Sequence, residues 1–226
     1  MNELWQFIMD PSNEFVSHSI AYLQICAFSI FFAIVIGVVL GTLVSRNAIA
    51  AFAAVNLSGL MRAVPVIAFL IAALPYLGVG FKPTVVALIV LGIPPILLNT
   101  YTGLRGIDPA ITDAARGIGM TDWQIISRIQ TPLVLPIIAA GIRTSAVQIV
   151  ATATLAAIIG AGGYGEYIID GLNRLDNVAI LAGAIPVALL AIIVELFMSW
   201  LQYALTPKGL RSIAEPVVTA NKSQMA

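Results

Sequence analysis

Charge is the first thing this chain lacks. Only 10% of its residues are Asp, Glu, Lys or Arg, against roughly 25% in soluble globular chains. Basic and acidic residues balance to a formal net charge of zero, so no cationic surplus exists to hold a nucleic-acid backbone. Cysteine is reduced to Cys26, which excludes an internal disulfide and the companions of a structural zinc site. Within its apolar run Cys26 reads as a small hydrophobe. Histidine is reduced to His18, placed as an interfacial residue at the start of that run rather than as a proton relay. No G-x-x-x-x-G-K-[ST] string occurs, so the chain has no P-loop to cradle phosphates.

Apolar residues fill the space that charge leaves. They make up 60% of the chain, and mean hydropathy is +0.99. Several uncharged runs reach the roughly 20 residues that cross a bilayer as a helix. The expected fold class is an all-α integral membrane protein, a single transmembrane domain over residues 1–226 with five transmembrane helices. Spans are expected at about 17–44, 48–79 with a break near 62–65, 83–102, 133–159 and 178–205. The break falls at Arg62-Ala-Val-Pro65, because proline removes a donor and disfavours helix before it. Pro94 and Pro95 should bend or locally unwind the third span. Pro207 and Gly209 should end the fifth, leaving a short mobile tail. Glu3, Asp10 and Glu14 stand where a cleaved signal would carry basic residues, so the first span is expected to be retained.

Basic residues are unevenly distributed between these spans. Arg46, Arg62, Arg105, Arg116, Arg128, Arg143, Lys208, Arg211 and Lys222 fall on one side, and Lys82 and Arg174 on the other. The positive-inside rule then puts the N-terminus outside and the C-terminus in the cytoplasm. No internal repeat supports an inverted-repeat secondary transporter.

A polar island over residues 108–132 interrupts the apolar chain. Asp108 and Pro109 suit a helix start, one as cap and the other as first helical residue. Gly117-Ile-Gly119 permits a sharp bend. Thr121-Asp-Trp-Gln124 fits a capping box, and the helix it opens should end before Pro132. The expectation is a pair of short cytoplasmic helices, an ordered shape suited to a soluble partner rather than a plain loop.

The island also resembles a known family. Permease subunits of ATP-binding-cassette importers carry Glu-Ala-Ala, three residues, Gly, nine residues, Ile, any residue, Leu-Pro. This chain reads Asp113-Ala114-Ala115, three residues, Gly119, nine residues, Ile129-Gln-Thr131-Pro132. Asp113 shortens the acidic reach, and Thr131 weakens an apolar contact. Arg62-Ala-Val-Pro65, Gly78-Val-Gly80-Phe-Lys-Pro83, Pro94-Pro95-Ile-Leu-Leu-Asn99-Thr-Tyr-Thr-Gly103, Ala140-Gly-Ile-Arg143-Thr and Ile159-Gly-Ala-Gly-Gly-Tyr-Gly165 extend the likeness. It is similar to the glycine betaine/carnitine/choline group of these permeases.

The resemblance implies the type I importer permease fold and a chain that is not an enzyme. It implies Asp113, Ala114, Ala115, Gly119, Met120, Trp123 and Pro132 as the element that couples to an ATPase. Implied partners are two ATP-binding subunits, which would hold ATP and Mg, a second permease subunit, an external solute-binding protein and the bilayer of a bacterial or archaeal cell membrane. No cofactor is expected in this chain. The cargo stays open between a small osmolyte and another small solute such as an amino acid.

Pro65, Pro94, Pro95, Asn99, Gly162, Gly163 and Glu195 are the candidate gate or pathway positions. Gly160-Ala-Gly162-Gly163-Tyr-Gly165 matches G-x-G-x-x-G, but a membrane span precedes it where a dinucleotide site needs a strand. It reads instead as a glycine turn that could shape an outer gate. Glu195 lies inside the fifth span, where an ionisable residue usually faces protein or water; pairing with a permease arginine is the favoured reading. An ion-driven carrier or channel would need several such residues, and Glu195 stands alone. Glu166, Asp170 and Asp176 read either as a receiving surface for the binding protein or as a solvated loop.

Overall fold

Two glycine contacts set the relative direction of the first long helices. Added side chains at Gly37 and Gly41 would lie 2.8 Å from Ile96 and 2.6 Å from Thr100. The contacts advance together along both segments, so Phe15–Val44 (α2) and Phe81–Arg105 (α5) run parallel. Close approach of this kind needs glycine because any Cβ would collide. Two parallel helices in one bundle oblige the chain to return between them. The computed structural model describes residues 2–207, and every element among them is helical. The expected mobile tail, with Lys208, Gly209, Arg211 and Lys222, lies outside the described residues.

A short helix, Asn2–Met9 (α1), precedes α2. Asp10 caps the 3-10 turn that follows by accepting from the Ser12 amide at 2.9 Å. The return from α2 to α5 is made by Ala48–Ala63 (α3), whose Asn47 cap accepts from Ile49 at 2.9 Å, and by Val66–Leu77 (α4). Val64 and Pro65 are extended, and the two helices meet at 94°. At 1.5 Å per residue they are about 24 and about 18 Å long, each short of a roughly 30 Å hydrocarbon core. Only together do they take the chain from one end of the bundle to the other.

After α5 come Pro109–Gly117 (α6) and Asp122–Ile125 (α7), then Thr131–Thr152 (α8). Gly141 packs against Asn99, and Gly92 against Ser145, so α8 is antiparallel to α5. A 3-10 stretch, Ala153–Ile159, finishes this ascent, and the Ile159 carbonyl accepts from the Gly80 amide at 2.8 Å. Tyr164–Arg174 (α9) crosses the same upper end, and Asn177–Leu205 (α10) descends. The chain thus runs the length of the bundle five times, counted as α2, α3 with α4, α5, α8 and α10. Its polar island sits at the lower end, with the C-termini of α2 and α5.

The core lies where α2, α5 and α8 meet. Tyr22, Ile25, Ile96 and Ile149 are fully buried there, and the Tyr22 hydroxyl donates to the Val150 carbonyl. By contrast α10 buries only Ala179, Ala182 and Gly183. Leu189, Ile192, Ile193, Leu196, Phe197 and Trp200 are exposed along it, an apolar face suited to lipid or to a partner.

Four expectations need correction. Pro94 and Pro95 do not unwind α5, which stays helical through both. They are buried in the core, and the Ser145 hydroxyl donates to the neighbouring Gly92 carbonyl at 2.8 Å. Packing on both sides holds the segment helical. Second, the helix opened at Thr121 does not end before Pro132. A π turn, Ile126–Gln130, joins α7 directly to α8. There the Thr131 amide reaches back to Ile126; the widened turn makes room for the Pro132 ring and its missing donor. The island therefore holds one free-standing short helix, with its second element continuous with a long one.

Third, Arg62 and Arg143 are not at the lower end. Met61, beside Arg62, lines a pocket with Val90 and Leu91 midway along α5, and Arg143 stands level with the stretch between Gly92 and Asn99. Fourth, the stretch around Glu166 and Asp170 is not a loop but α9, held by Tyr164 to Ser19 at 2.8 Å and by Tyr167 to the Asn13 carbonyl at 2.5 Å.

Candidate functional site

The polar island is built from its caps. Asp108 accepts from the Ala110 amide at 2.9 Å and Pro109 opens α6. This satisfies one of the free amides at the helix start. The other end closes in a Schellman arrangement. The Met120 amide bonds the Ala115 carbonyl at 3.1 Å, and the Gly119 amide bonds Arg116 at 2.9 Å. Gly119 takes the left-handed conformation this requires, with φ +82°. The signature glycine is therefore the helix stop, and Gly117 is the last helical residue.

The next helix starts at once. Thr121 and Gln124 form the reciprocal capping box, with distances of 2.9 and 3.4 Å. Arg116 ties the two pieces together, 3.8 Å from Asp113 and 3.5 Å from Asp122. These pairs are exposed and worth little in stability, about 0–1 kcal/mol each. The shape is held chiefly by backbone caps.

Asp113, Ala114, Gly119 and Trp123 are exposed on this element. Ile118 and Trp123 are 80% and 74% exposed, an unusual position for large apolar side chains outside the bundle. Sequence reasoning picked Trp123 but missed Ile118. Its signal was an isoleucine between two glycines, outside the apolar face of any helix. Ala115 is placed differently from expectation: it is 3% exposed and packs inward. Met120 and Pro132 are half-buried, and Pro132 lies within the first turn of α8. The seven signature positions therefore divide into an exposed set and a set that holds it in place.

The candidate pathway residues do not form one cluster. Pro65 caps α4 and is exposed. Pro94 and Pro95 face the core, and the Asn99 side chain folds back on its own helix, donating to the Pro95 carbonyl at 2.8 Å. Gly162 and Gly163 form the upper turn, both at positive φ, with Gly163 against Tyr22. Glu195 pairs with Arg143, whose Nε donates to Oε1 at 2.8 Å. Among the described residues no group of His, Cys, Asp and Glu could hold a metal.

An all-helical bundle of apolar spans with a capped short helix at one end is the architecture of a multi-pass membrane protein. The chain belongs to the family described as binding-protein-dependent transport system inner membrane component, which matches residues 33–209. It is a multi-pass membrane protein of that family. It is 38% identical over 215 residues to the glycine betaine/carnitine/choline transport system permease protein OpuCB of Bacillus subtilis (strain 168), covering 95% of this chain and 99% of that protein. It is 35% identical over 210 residues to the osmoprotectant import permease protein OsmW of Salmonella typhimurium, covering 91% and 98%. A solved structure of the MetNI methionine ABC transporter shares its fold, with TM-score 0.76, 20% identity and coverage of 88% of this chain and 99% of that one.

Proposed function

We propose that this chain is the membrane permease of an ATP-driven importer for a small osmolyte such as glycine betaine, carnitine or choline, and that its polar island docks an ATPase subunit. One observation carries the docking: the turn that closes a short helix capped at both ends, and the capping-box helix that follows it, present Ile118 and Trp123 to solvent below the bundle. Exposed apolar side chains on a rigid element suit a partner's groove. Rigidity matters because a floppy loop would absorb the displacement that nucleotide binding generates. The choice of cargo rests on the relatives named above.

The assembly would contain two ATP-binding subunits, which hold ATP and Mg, a second permease and an external binding protein. Closure of the ATPases moves the docked helix and switches the permease between outward and inward access. Charge supports the orientation. Arg46, Arg105, Arg116 and Arg128 lie at the lower end, and Lys82 and Arg174 at the upper, so the lower end with the C-terminus of α10 is cytoplasmic. Arg143 no longer counts in this comparison because Glu195 neutralises it at mid-depth.

The test is uptake by cells stripped of their own osmolyte importers and given this permease with its cognate partners. Labelled glycine betaine, carnitine or choline should accumulate, and methionine should not. Methionine uptake alone would favour the second reading, an amino-acid importer, to which the fold likeness points.

A further inference from the structure

The face between α8 and α10 carries polar side chains at a depth where lipid tolerates none. Ala140, Arg143, Thr144, Val147, Gln148 and Ala151 recur at helical spacing along α8, opposite Glu195 and Gln202 of α10. Together they line a groove of about 500 Å³. By residue count Glu195 lies about 27 Å below the start of α10 and about 15 Å above its end. Arg143 and Glu195 remain 35% and 38% exposed. Charged groups left open at such a depth face water or protein rather than hydrocarbon, whereas Leu189, Ile192, Ile193, Leu196 and Phe197, exposed around the same depth of α10, are apolar.

The pair also has bonding capacity to spare. Arg143 Nε and Nη2 both donate to one oxygen, Oε1 of Glu195. Oε2 accepts no hydrogen bond from the described residues, and Arg143 Nη1 has only a long contact of 3.5 Å to Gln202. One carboxylate oxygen and one guanidinium nitrogen of two groove-lining residues are thus left with bonding capacity.

We infer that this groove faces the solute passage and that Arg143 and Glu195 form a transient station for a zwitterion, a solute carrying both a fixed cation and a carboxylate. The zwitterionic solute rests on the osmolyte reading above; the water-facing groove does not. A carboxylate meets Arg143 Nη1 while the cationic end lies beside Glu195 Oε2. Pair and guest are each neutral overall, so docking adds no net charge at low dielectric. A simple monocation adds one, and pays the cost of burying it.

Two measurements test this. In a Cys26→Ala background, Thr144→Cys should react with an impermeant methanethiosulfonate in open membrane fragments carrying the whole transporter, and millimolar glycine betaine should slow the reaction at least threefold. An inert cysteine would overturn the water-facing groove, and reactivity indifferent to glycine betaine would overturn the station. The second measurement separates binding from scaffolding. Removing both members of an ion pair is often harmless to stability, whereas removing one strands a charge. The double variant Arg143→Gln/Glu195→Gln should therefore insert and assemble with its ATPase subunits in wild-type yield, yet import glycine betaine at least tenfold more slowly. Full recovery of import in the double variant would show a structural pair and refute the station. If the wild-type transporter imports neither glycine betaine nor carnitine, the zwitterion assignment falls even where choline, a monocation, is imported, while the cysteine reaction still decides whether the groove is wet.

Discussion

An added Cβ at Gly119 would meet nothing within 4 Å, although the backbone sits at φ +82°. Alanine there strains the left-handed turn by about 1–2 kcal/mol, whereas aspartate and asparagine adopt that region more readily. Gly119→Asp is therefore the gentler change for the chain itself. It should leave insertion and thermal stability near normal yet abolish uptake, because its bulk and charge would enter the proposed contact with the ATPase. Normal uptake in reconstituted vesicles would sink the docking role. At the upper end Tyr167 donates to the Asn13 carbonyl, and burial, followed by the charge of Glu166, pushes its hydroxyl pKa up to about 12. A raised folded-state value means the stabilisation is present below the ordinary tyrosine pKa near 10 and fades as pH climbs through 12. Trp5 emission, isolated by Trp123→Phe and Trp200→Phe, should report α1 loosening over that interval, and Tyr167→Phe should remove the transition. Spacing alone made Gly119 legible, since a helix stop is a local event. The burial of Ala115 was not legible, because it depends on how α6 rolls against the bundle.

At the scale of elements, α6 owes its order to its ends. It has nine residues, below the length at which an isolated helix holds in water. Asp108→Ala removes the N-cap, at a cost of about 1 kcal/mol. Amides of α6 should then exchange with solvent about fivefold faster, by the usual 1.4 kcal/mol per factor of ten, while α8 amides keep their protection. Equal acceleration in both helices would mean that α6 is held by packing instead. Caps were readable from sequence because they depend on residues three apart. The junction at Pro132 was not, since an α-helical frame predicts a stop where a π turn carries the chain through. Tyr164–Arg174 did carry a helical signal, with Tyr164, Tyr167, Ile168, Gly171 and Leu172 on one face. Its acidic residues and flanking glycines made it read as a loop, although Gly163 is its cap. The same glycine string that mimics a nucleotide fingerprint bends the chain back over Tyr22, which is a packing duty.

For the whole molecule, the parallel pair α2 and α5 settles the parity of the path. The contacts of Gly37 and Gly41 with Ile96 and Thr100 require an upward return by α3 and α4, even though neither is long enough to cross alone. Hydropathy made each apolar run legible, but run length could not show that Ala48–Ala63 and Val66–Leu77 act jointly across a 94° break. With the return counted, the N-terminus of α2 and the C-terminus of α10 lie at opposite ends, and charge then chooses which end faces the cytoplasm. The choice can be checked in intact cells with single cysteines in a Cys26→Ala background; Cys26 itself is 4% exposed. Ser127, in the π turn, and Asp170, on α9, are at opposite ends of the bundle. A cysteine at Asp170 should react with an impermeant maleimide from outside, and one at Ser127 only after permeabilisation. The reverse pattern would place the proposed ATPase-docking element on the wrong side of the membrane and defeat the proposed coupling. Reaction of both from outside would mean that α8, the one span between the two positions, does not cross, which would contradict its antiparallel packing against α5.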